Sequence, residues 1–344
     1  MKFIERAWYD NAGWLILLWP LSLVFQMLVS VRRKLQQRTV RPAYLKVPVV
    51  IIGNISVGGT GKTSLLITLV KHFKAAGYSP GVVSRGYGAS ARVFPYQVNA
   101  DSDVTQCGDE PLLIQQRTGC PVVVDPNRNR AVQYLLEHNK VDLVFSDDGL
   151  QHYKLYRDIE IAVVDGQRLF GNGFSLPAGP LRERAGRLQQ ADFIVINGTP
   201  AKALAALERA SVMKVEPRYL VNLKSGERKL LAGAPFSMGN IVQAVAALGN
   251  PERFFAALSL LPYQIKRIPF PDHHSFSESD FESGKLDPHQ PIVMTEKDAV
   301  KCQSFARANF WSLAIEIELD KEFVAALTQR ITACKTSIQA QRQA

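Results

Sequence analysis

The sequence predicts an α/β fold in which helices cover both faces of a mainly parallel β-sheet. Short, continuous apolar runs rich in β-branched residues recur along the chain, and stretches of helical character separate them. A glycine-rich loop also lies between one such run and a helical stretch. Continuous apolar runs are typical of strands that are buried on both faces. Alternation of such strands with helices favours a parallel sheet.

The first series of elements lies in the N-terminal half. Val47–Ile52 is expected to form a buried strand, and Ser64–Ala76 a helix that Gly77 ends. Further β-branched runs predict the other strands of this half, at Gly81–Ser84, Pro121–Val124, Val141–Ser146 and Ile159–Val164.

A second series predicts a smaller α/β domain. Its strands are expected at Phe193–Asn197, Ile241–Leu248, Pro291–Thr295 and Trp311–Leu319. Pro, Gly and Arg concentrate at Pro177–Ala191, which marks the boundary between the domains. The predicted units are therefore an N-terminal helix with a basic linker (1–45), a first domain (46–188), a second domain (189–333) and a polar tail (334–344) that frays.

The N-terminal segment predicts contact with a membrane. Residues 12–31 carry no charge, and Arg32–Lys34 follow directly. Because Pro20 would kink a single spanning helix, we favour a kinked helix or a helical pair in the membrane interface, on its cytoplasmic side. Three tryptophans are expected at headgroup depth: Trp8, Trp14 and Trp19. The alternative is a buried core helix of the soluble domain.

Charge is distributed unevenly along the chain. The net charge is +10, and no Asp or Glu occurs between Asp10 and Asp101, a stretch that holds eleven Lys and Arg residues, Arg38 among them. Anionic lipid, nucleotide phosphates and nucleic acid are the partners that such a surface favours. The basic cluster directly follows a Trp-rich apolar segment, so a bilayer fits better and no nucleic acid is expected. No obligate protein partner is evident from the sequence.

The strongest motif is the glycine-rich loop SVGGTGKT, which follows the first predicted strand and precedes a helix. This is the context of a P-loop, whose backbone N–H groups wrap a phosphate chain at a helix N-terminus. Lysine then reaches the β- and γ-phosphates and the last hydroxyl binds Mg²⁺. A serine replaces the usual first glycine. The predicted nucleotide-binding residues are Ser56, Val57, Gly58, Gly59, Thr60, Gly61, Lys62 and Thr63.

Two acids follow a neighbouring predicted strand. The run from Val141 ends in Asp147 and Asp148, and a P-loop needs a carboxylate for its metal at the end of such a strand. Both residues are therefore candidates for Mg²⁺. ATP and Mg²⁺ are the cofactors that follow from these motifs.

Further segments, together with the P-loop, resemble one family, the tetraacyldisaccharide 4'-kinases of lipid A biosynthesis in Gram-negative bacteria. The matching stretches occur in order along nearly the whole chain: GNISVGGTGKT (Gly53–Thr63), SRGYG (Ser84–Gly88), GDEP (Gly108–Pro111), DDGLQH (Asp147–His152), PAGPLRE (Pro177–Glu183), GNPERFF (Gly249–Phe255), FPDHHSF (Phe270–Phe276) and MTEKDAVK (Met294–Lys301). The resemblance implies a two-domain P-loop fold at the cytoplasmic face of the bacterial inner membrane. It implies phosphorylation by ATP of the 4'-hydroxyl of a tetraacylated glucosamine disaccharide 1-phosphate.

The resemblance also implies roles for individual residues. Asp109 would accept the proton of the sugar hydroxyl, with His273 as its partner, although the residues alone do not separate His273 from His274. Pairing of Asp109 with His273 would require the two domains to close over the substrate. Glu110 joins the two strand-end acids as a metal candidate. Weaker candidates for substrate or phosphate contact are Arg85, Gln151, His152, Arg182 and Glu183.

One alternative is a membrane-recruited P-loop ATPase of the partitioning or regulatory type. Such proteins carry a lysine at the second position of the loop, where this sequence has Val57. A non-enzymatic binding protein is the other alternative.

Overall fold

The computed structural model describes residues 2–37, 40–231, 236, 241–282, 284 and 286–343, so Arg38 of the predicted linker lies outside the described residues. The strands are β1 (Val49–Gly53), β2 (Pro80–Ser84), β3 (Tyr96–Val98), β4 (Val122–Val124), β5 (Leu143–Ser146), β6 (Ile159–Asp165), β7 (Phe193–Asn197), β8 (Ser211–Asn222), β9 (Arg228–Leu230), β10 (Ile241–Ala246), β11 (Gln264–Pro269), β12 (Ile292–Thr295) and β13 (Phe310–Leu319). The α-helices are α1 (Lys2–Tyr9), α2 (Trp19–Gln36), α3 (Lys62–Ala75), α4 (Val104–Cys107), α5 (Asp109–Thr118), α6 (Arg128–His138), α7 (Glu252–Ser259), α8 (Glu278–Glu282), α9 (Glu296–Cys302) and α10 (Lys321–Gln343).

Within the described ranges, these strands form one mixed sheet, and helices pack on it as predicted. Its order is β11-β10-β12-β13-β8-β7-β6-β1-β5-β2-β4-β3, with β9 paired to β8. Every strand predicted from an apolar run is present, with ends moved by one or two residues. The long strand β8 was not predicted, because Lys214, Glu216 and Arg218 interrupt its apolar pattern on an exposed face.

The two halves of the sheet run in opposite directions. Strands β4, β2, β5, β1, β6, β7 and β8 are parallel to one another, whereas β13 is antiparallel to β8 and parallel to β12, β10 and β11. Strand β8 pairs with β7 only at its beginning and continues well past the end of β7. The second set of strands is built on that extension. The carboxyl ends of both parallel sets therefore face one cleft.

The N-terminal segment exposes its apolar side chains. A 3₁₀-helix at Gly13–Leu18 leads into α2, and Pro20 lies in the first turn of α2, where its missing N–H costs nothing. Residues 13–36 are long and apolar enough to cross a membrane, and only 11% of the most apolar stretch is buried, so the core-helix alternative is wrong. Leu17 is 77% exposed.

One tryptophan lies elsewhere than expected. Trp8 is buried in a small cluster with Leu15, and its indole N–H donates to the carbonyl of Pro177 at 3.0 Å, so its ring packs inside the protein and is not presented to a membrane surface. A polar contact also docks α2, since the Ser22 hydroxyl donates to the carbonyl of Ser175 at 2.8 Å. The segment is thus fixed to the body on one side and exposed on the other.

The C-terminus differs from the expectation. The chain after Ala333 is helical: α10 continues to Gln343, Ile338 is buried, and the Lys335 ammonium lies 2.7 Å from the Asp142 carboxylate. Apolar residues at helical spacing bind α10 to the core of the first half, including Leu327 and Ile331. The predicted division into two domains at residue 188 stays a prediction, because β7 continues the same sheet across it.

Candidate active site

The glycine-rich loop lies at the carboxyl edge of the sheet, between β1 and α3. Gly58 and Gly61 have φ values of 104° and 91°, which glycine adopts without the cost of a Cβ. At Gly61 a Cβ would also lie 2.6 Å from the side-chain nitrogen of Asn197, so any other residue would be strained in its backbone and would have to displace that side chain. Lys62 opens α3, and its Nζ lies 3.1 Å from Asn54 Oδ1 and 3.4 Å from Asp148 Oδ1.

The two strand-end acids differ in environment. Asp148 has a φ of 44° and is paired with Lys62 and, at 3.4 Å, with Arg182. Burial raises the pKa of Asp148, but these neighbouring cations outweigh it and lower the pKa to about 2. Asp147 is fully buried, and burial together with the carboxylates of Glu110 and Asp148 raises its pKa to about 7.

An arginine that sequence reasoning missed holds this turn in place. Arg128, the first residue of α6, is buried and donates to the carbonyl oxygens of Asp147 at 2.6 Å and Asp148 at 3.0 Å. Oδ1 of Asp147 has no hydrogen-bond partner among the described residues. A buried, unpartnered carboxylate oxygen beside further carboxylates is the arrangement that a bound cation would stabilise.

Asp109 and His273 come together across the cleft. Asp109 begins α5 in the first half, and His273 follows β11 in the second; Nδ1 of the histidine lies 3.4 Å from Asp109 Oδ2. The other carboxylate oxygen accepts the backbone N–H of Glu110 at 2.8 Å. Burial raises the pKa of Asp109, but the bond to His273 and the charges of Lys297 and Lys301 outweigh burial and lower it to about 2.

The neighbouring histidine has a different environment. Nε2 of His274 lies 3.1 Å from Oδ2 of Asp280 in the following helix, α8, and the ring packs between Phe270 and Phe276. The sequence did not distinguish His273 from His274 as the partner of Asp109. Of the two, only His273 faces Asp109.

Two lysines next to Asp109 were missed by sequence reasoning. Lys297 Nζ lies 2.8 Å from Glu110 and 3.8 Å from Asp109, and Lys301 Nζ lies 3.5 Å from Asp109. Both belong to the MTEKDAVK segment, which carried no assigned role. Their spacing of four residues, which puts two lysines on one face of a helix, was the available signal.

The weaker candidates fall into two groups. Gln151 donates to the carbonyl of Asn54 and to Glu183, both at 2.9 Å, and Arg182 pairs with Asp148, so these residues surround the start of the P-loop. His152 lies nearby, and burial with several arginines around it lowers its pKa to about 4. Arg85 follows β2 at the same sheet edge and is exposed.

Known proteins resemble this chain over nearly its whole length. A family model described as tetraacyldisaccharide-1-P 4'-kinase matches residues 14–332. The tetraacyldisaccharide 4'-kinase of Methylobacillus flagellatus is 44% identical over 333 residues, 96% of either protein. That of Histophilus somni is 46% identical over 331 residues, 94% of this chain and 97% of the other. Among solved structures, LpxK from Aquifex aeolicus in complex with ATP superposes with a TM-score of 0.72 at 25% identity, covering 92% of this chain and 99% of its own.

Proposed function

The chain belongs to the tetraacyldisaccharide-1-P 4'-kinase family and is a kinase, and on that premise we propose that it transfers the γ-phosphoryl group of ATP to the 4'-hydroxyl of a tetraacylated glucosamine disaccharide 1-phosphate. This proposal rests on one observation, the set of groups that line the cleft. A P-loop lysine with its acid lies at one carboxyl edge, and an aspartate–histidine pair closes the same cleft.

The P-loop would hold the triphosphate. Its backbone and Lys62 neutralise the β- and γ-phosphates, because phosphoryl transfer depends mainly on positioning and charge stabilisation. Thr63 and Asp147 would hold Mg²⁺, which takes one or two protein ligands together with phosphate oxygens and neutralises the charge that develops on them. Asp148 and Glu110 are weaker candidates for Mg²⁺ ligands than Thr63 and Asp147, because Asp148 pairs with Lys62 and Glu110 with Lys297.

Asp109 would act on the sugar hydroxyl. Its ionised carboxylate accepts the hydrogen bond of the hydroxyl, orients the oxygen toward the γ-phosphate and takes the proton as the new bond forms. His273, on the other half of the protein, fixes the carboxylate from the side. Phosphate donor and base thus occupy one cleft between the two parallel sets of strands.

The lipid substrate would reach the active site from the membrane. The exposed apolar face of α2, whose last turn carries Arg33 and Lys34, fits an anionic bilayer. Helix α2 is docked on Ser175 and Ala178 of the first half, next to the Pro177–Glu183 segment. A lipid whose acyl chains stay in the bilayer would present its sugar headgroup to that region. We place the protein at the cytoplasmic face, as a peripheral or monotopic enzyme.

Point substitutions test this membrane contact. Deleting the segment would also remove buried Trp8, so Leu17, Met27 and Leu28, which are exposed, should be replaced by Gln together. We expect binding to phosphatidylglycerol vesicles to weaken about tenfold or more while the melting temperature stays unchanged. Leu260→Gln, at an exposed site away from α2, is the matched control. Full vesicle binding by the triple variant would contradict the anchor.

Phosphate transfer itself tests the activity. Purified protein is incubated with γ-labelled ATP, Mg²⁺ and the tetraacyldisaccharide 1-phosphate in mixed micelles. Label is expected at the 4'-position of the distal sugar. Label released only as inorganic phosphate, with the lipid unmodified, would reduce the activity to that of an ATPase.

A further inference from the structure

We propose that α9, with the Thr295 that caps it, is the positioning element of the base: its lysines hold the Asp109 carboxylate, and its buried aspartate ties the same helix to the backbone that presents His273. The inference rests on the proposed role of Asp109 and adds residues to it. It assigns a role to the MTEKDAVK segment.

Three nitrogens surround one oxygen of Asp109. Oδ2 lies 3.4 Å from His273 Nδ1, 3.5 Å from Lys301 Nζ and 3.8 Å from Lys297 Nζ. Oδ1 is held separately by the N–H of Glu110, at the start of α5. A carboxylate fixed at both oxygens has one orientation, and such fixed geometry is what a base needs to act on a hydroxyl.

The lysines are themselves fixed. The Lys301 side chain is only 7% exposed, and its Nζ lies 3.0 Å from Oδ1 of Asp298, one turn earlier on the helix. Lys297 is anchored by Glu110 at 2.8 Å. Two long side chains that lie buried in ion pairs give up rotamer freedom on folding, so their cations stay in place beside Asp109.

Asp298 connects this cluster to His273. It is completely buried, and its Oδ2 accepts the Thr295 hydroxyl at 2.7 Å and the backbone N–H of Ala247 at 3.0 Å. The carbonyl of Ala247 in turn accepts the N–H of His273 at 3.4 Å. One short helix is therefore linked to both members of the pair, to Asp109 directly through its lysines and to His273 indirectly through Asp298 and the backbone of Ala247.

A second contact joins the same helix to the first half. Arg117 of α5 is ion-paired with Glu296, the first residue of α9. Helices α5 and α9 belong to opposite halves of the protein, so the helix that positions the base also contacts the first half at a second point. The geometry of the base therefore depends on how the two halves pack at this contact.

Lys301→Met tests the proposal in two backgrounds. In the wild-type background we expect kcat to fall about 10- to 100-fold, with the KM for ATP unchanged, because the base is misplaced while the P-loop is intact. In the Asp109→Asn background the same substitution should cost less than about twofold, because a residue that acts through Asp109 has nothing left to position. Lys301→Arg should restore most of the lost turnover.

Two further variants serve as the control and as the fallback for Lys301→Met. Lys335→Met removes a more exposed lysine–aspartate ion pair, with Asp142, away from the cleft, and should leave kcat unchanged. If Lys301→Met does not fold, Lys297→Met is measured in the same two backgrounds, since its partner Glu110 is better exposed and tolerates the loss.

The outcomes separate the two proposals. Equal losses in both backgrounds, or a loss shared between kcat and the KM for ATP, would overturn the positioning role while leaving Asp109 as the base. Wild-type turnover of Asp109→Asn would instead overturn the proposed base.

Discussion

The two sides of the cleft are built in different ways. The phosphate side consists of the P-loop with Asn54 and Asp148, and Lys62 reaches a partner only eight residues away. The base side consists of Asp109, His273 and α9. The side chains of the second half that meet Asp109 and Glu110 lie 164 or more positions away in the chain, as the Lys297–Glu110 bond illustrates with a separation of 187. The phosphate side should therefore survive any change that moves the halves, whereas the base side should not.

The largest expected effect comes from removing the base. Asp109→Asn keeps the shape of the side chain but removes the proton acceptor, so kcat should fall by about two to four orders of magnitude. The affinity for ATP should change little, because ATP lies on the phosphate side. Steady-state kinetics with varied ATP measure both. Collapse of ATP binding would show that Asp109 belongs to the metal site and would erase the distinction between the two sides.

The pairing of Asp109 with His273 can be tested in the same assay. His273→Ala should give a related loss of kcat, and the double variant should lose clearly less than the product of the two single effects if the residues act as a unit. His274→Ala is the matched control, since that ring contacts Asp280 instead. Fully multiplicative losses would argue against a unit on the base side.

On the phosphate side, Lys62→Ala should lower kcat by about two to three orders of magnitude, because the charge that neutralises the transferring phosphoryl group is gone. The fold should be retained, as measured by the melting temperature. Unlike the loss from Lys301→Met, this loss should persist in full in the Asp109→Asn background. Near-normal turnover of a folded Lys62→Ala protein would remove the P-loop from the mechanism.

The smallest effect should come from the contact between the halves. Arg117→Gln breaks the ion pair with Glu296 at the start of α9 without changing a residue of the P-loop or of the Asp109–His273 pair. We expect kcat to fall by a few-fold, about 2- to 10-fold, with the KM for ATP unchanged. Arg218→Gln, at an exposed ion pair with Glu316 on the sheet, serves as the control. A rise in the KM for ATP would mean that the phosphate side also depends on this contact.

The membrane segment illustrates the limits of reasoning from composition. The uncharged run at 12–31 predicted an exposed apolar face, and α2 has one. Composition did not separate Trp8, which is buried, from Trp14, which is 41% exposed, because burial depends on which side of the segment faces Pro177. Composition likewise predicted a polar tail after Ala333, where the structure continues α10 and buries Ile338.

The sequence by itself determined what is local. The P-loop, its strand and its helix occupy one continuous stretch, and the acids at the end of β5 follow from the rule that parallel strands present their carboxyl ends at one edge. Matching motifs along the chain also determined the family. In each case the chemical signal lies in neighbouring residues, so no long-range contact has to be known.

Only the tertiary structure decided what joins distant segments. The long extension of β8 pairs antiparallel with β13, and the second set of strands built on it brings the segment of His273 and the helix of Lys297 and Lys301 to Asp109. The local backbone, with a φ of 57° at His273, then turns His273 to Asp109 while His274 contacts Asp280. An ion pair between residues so far apart leaves no periodic pattern in the sequence. It depends on the register of the sheet, which is fixed by the burial of many side chains at once.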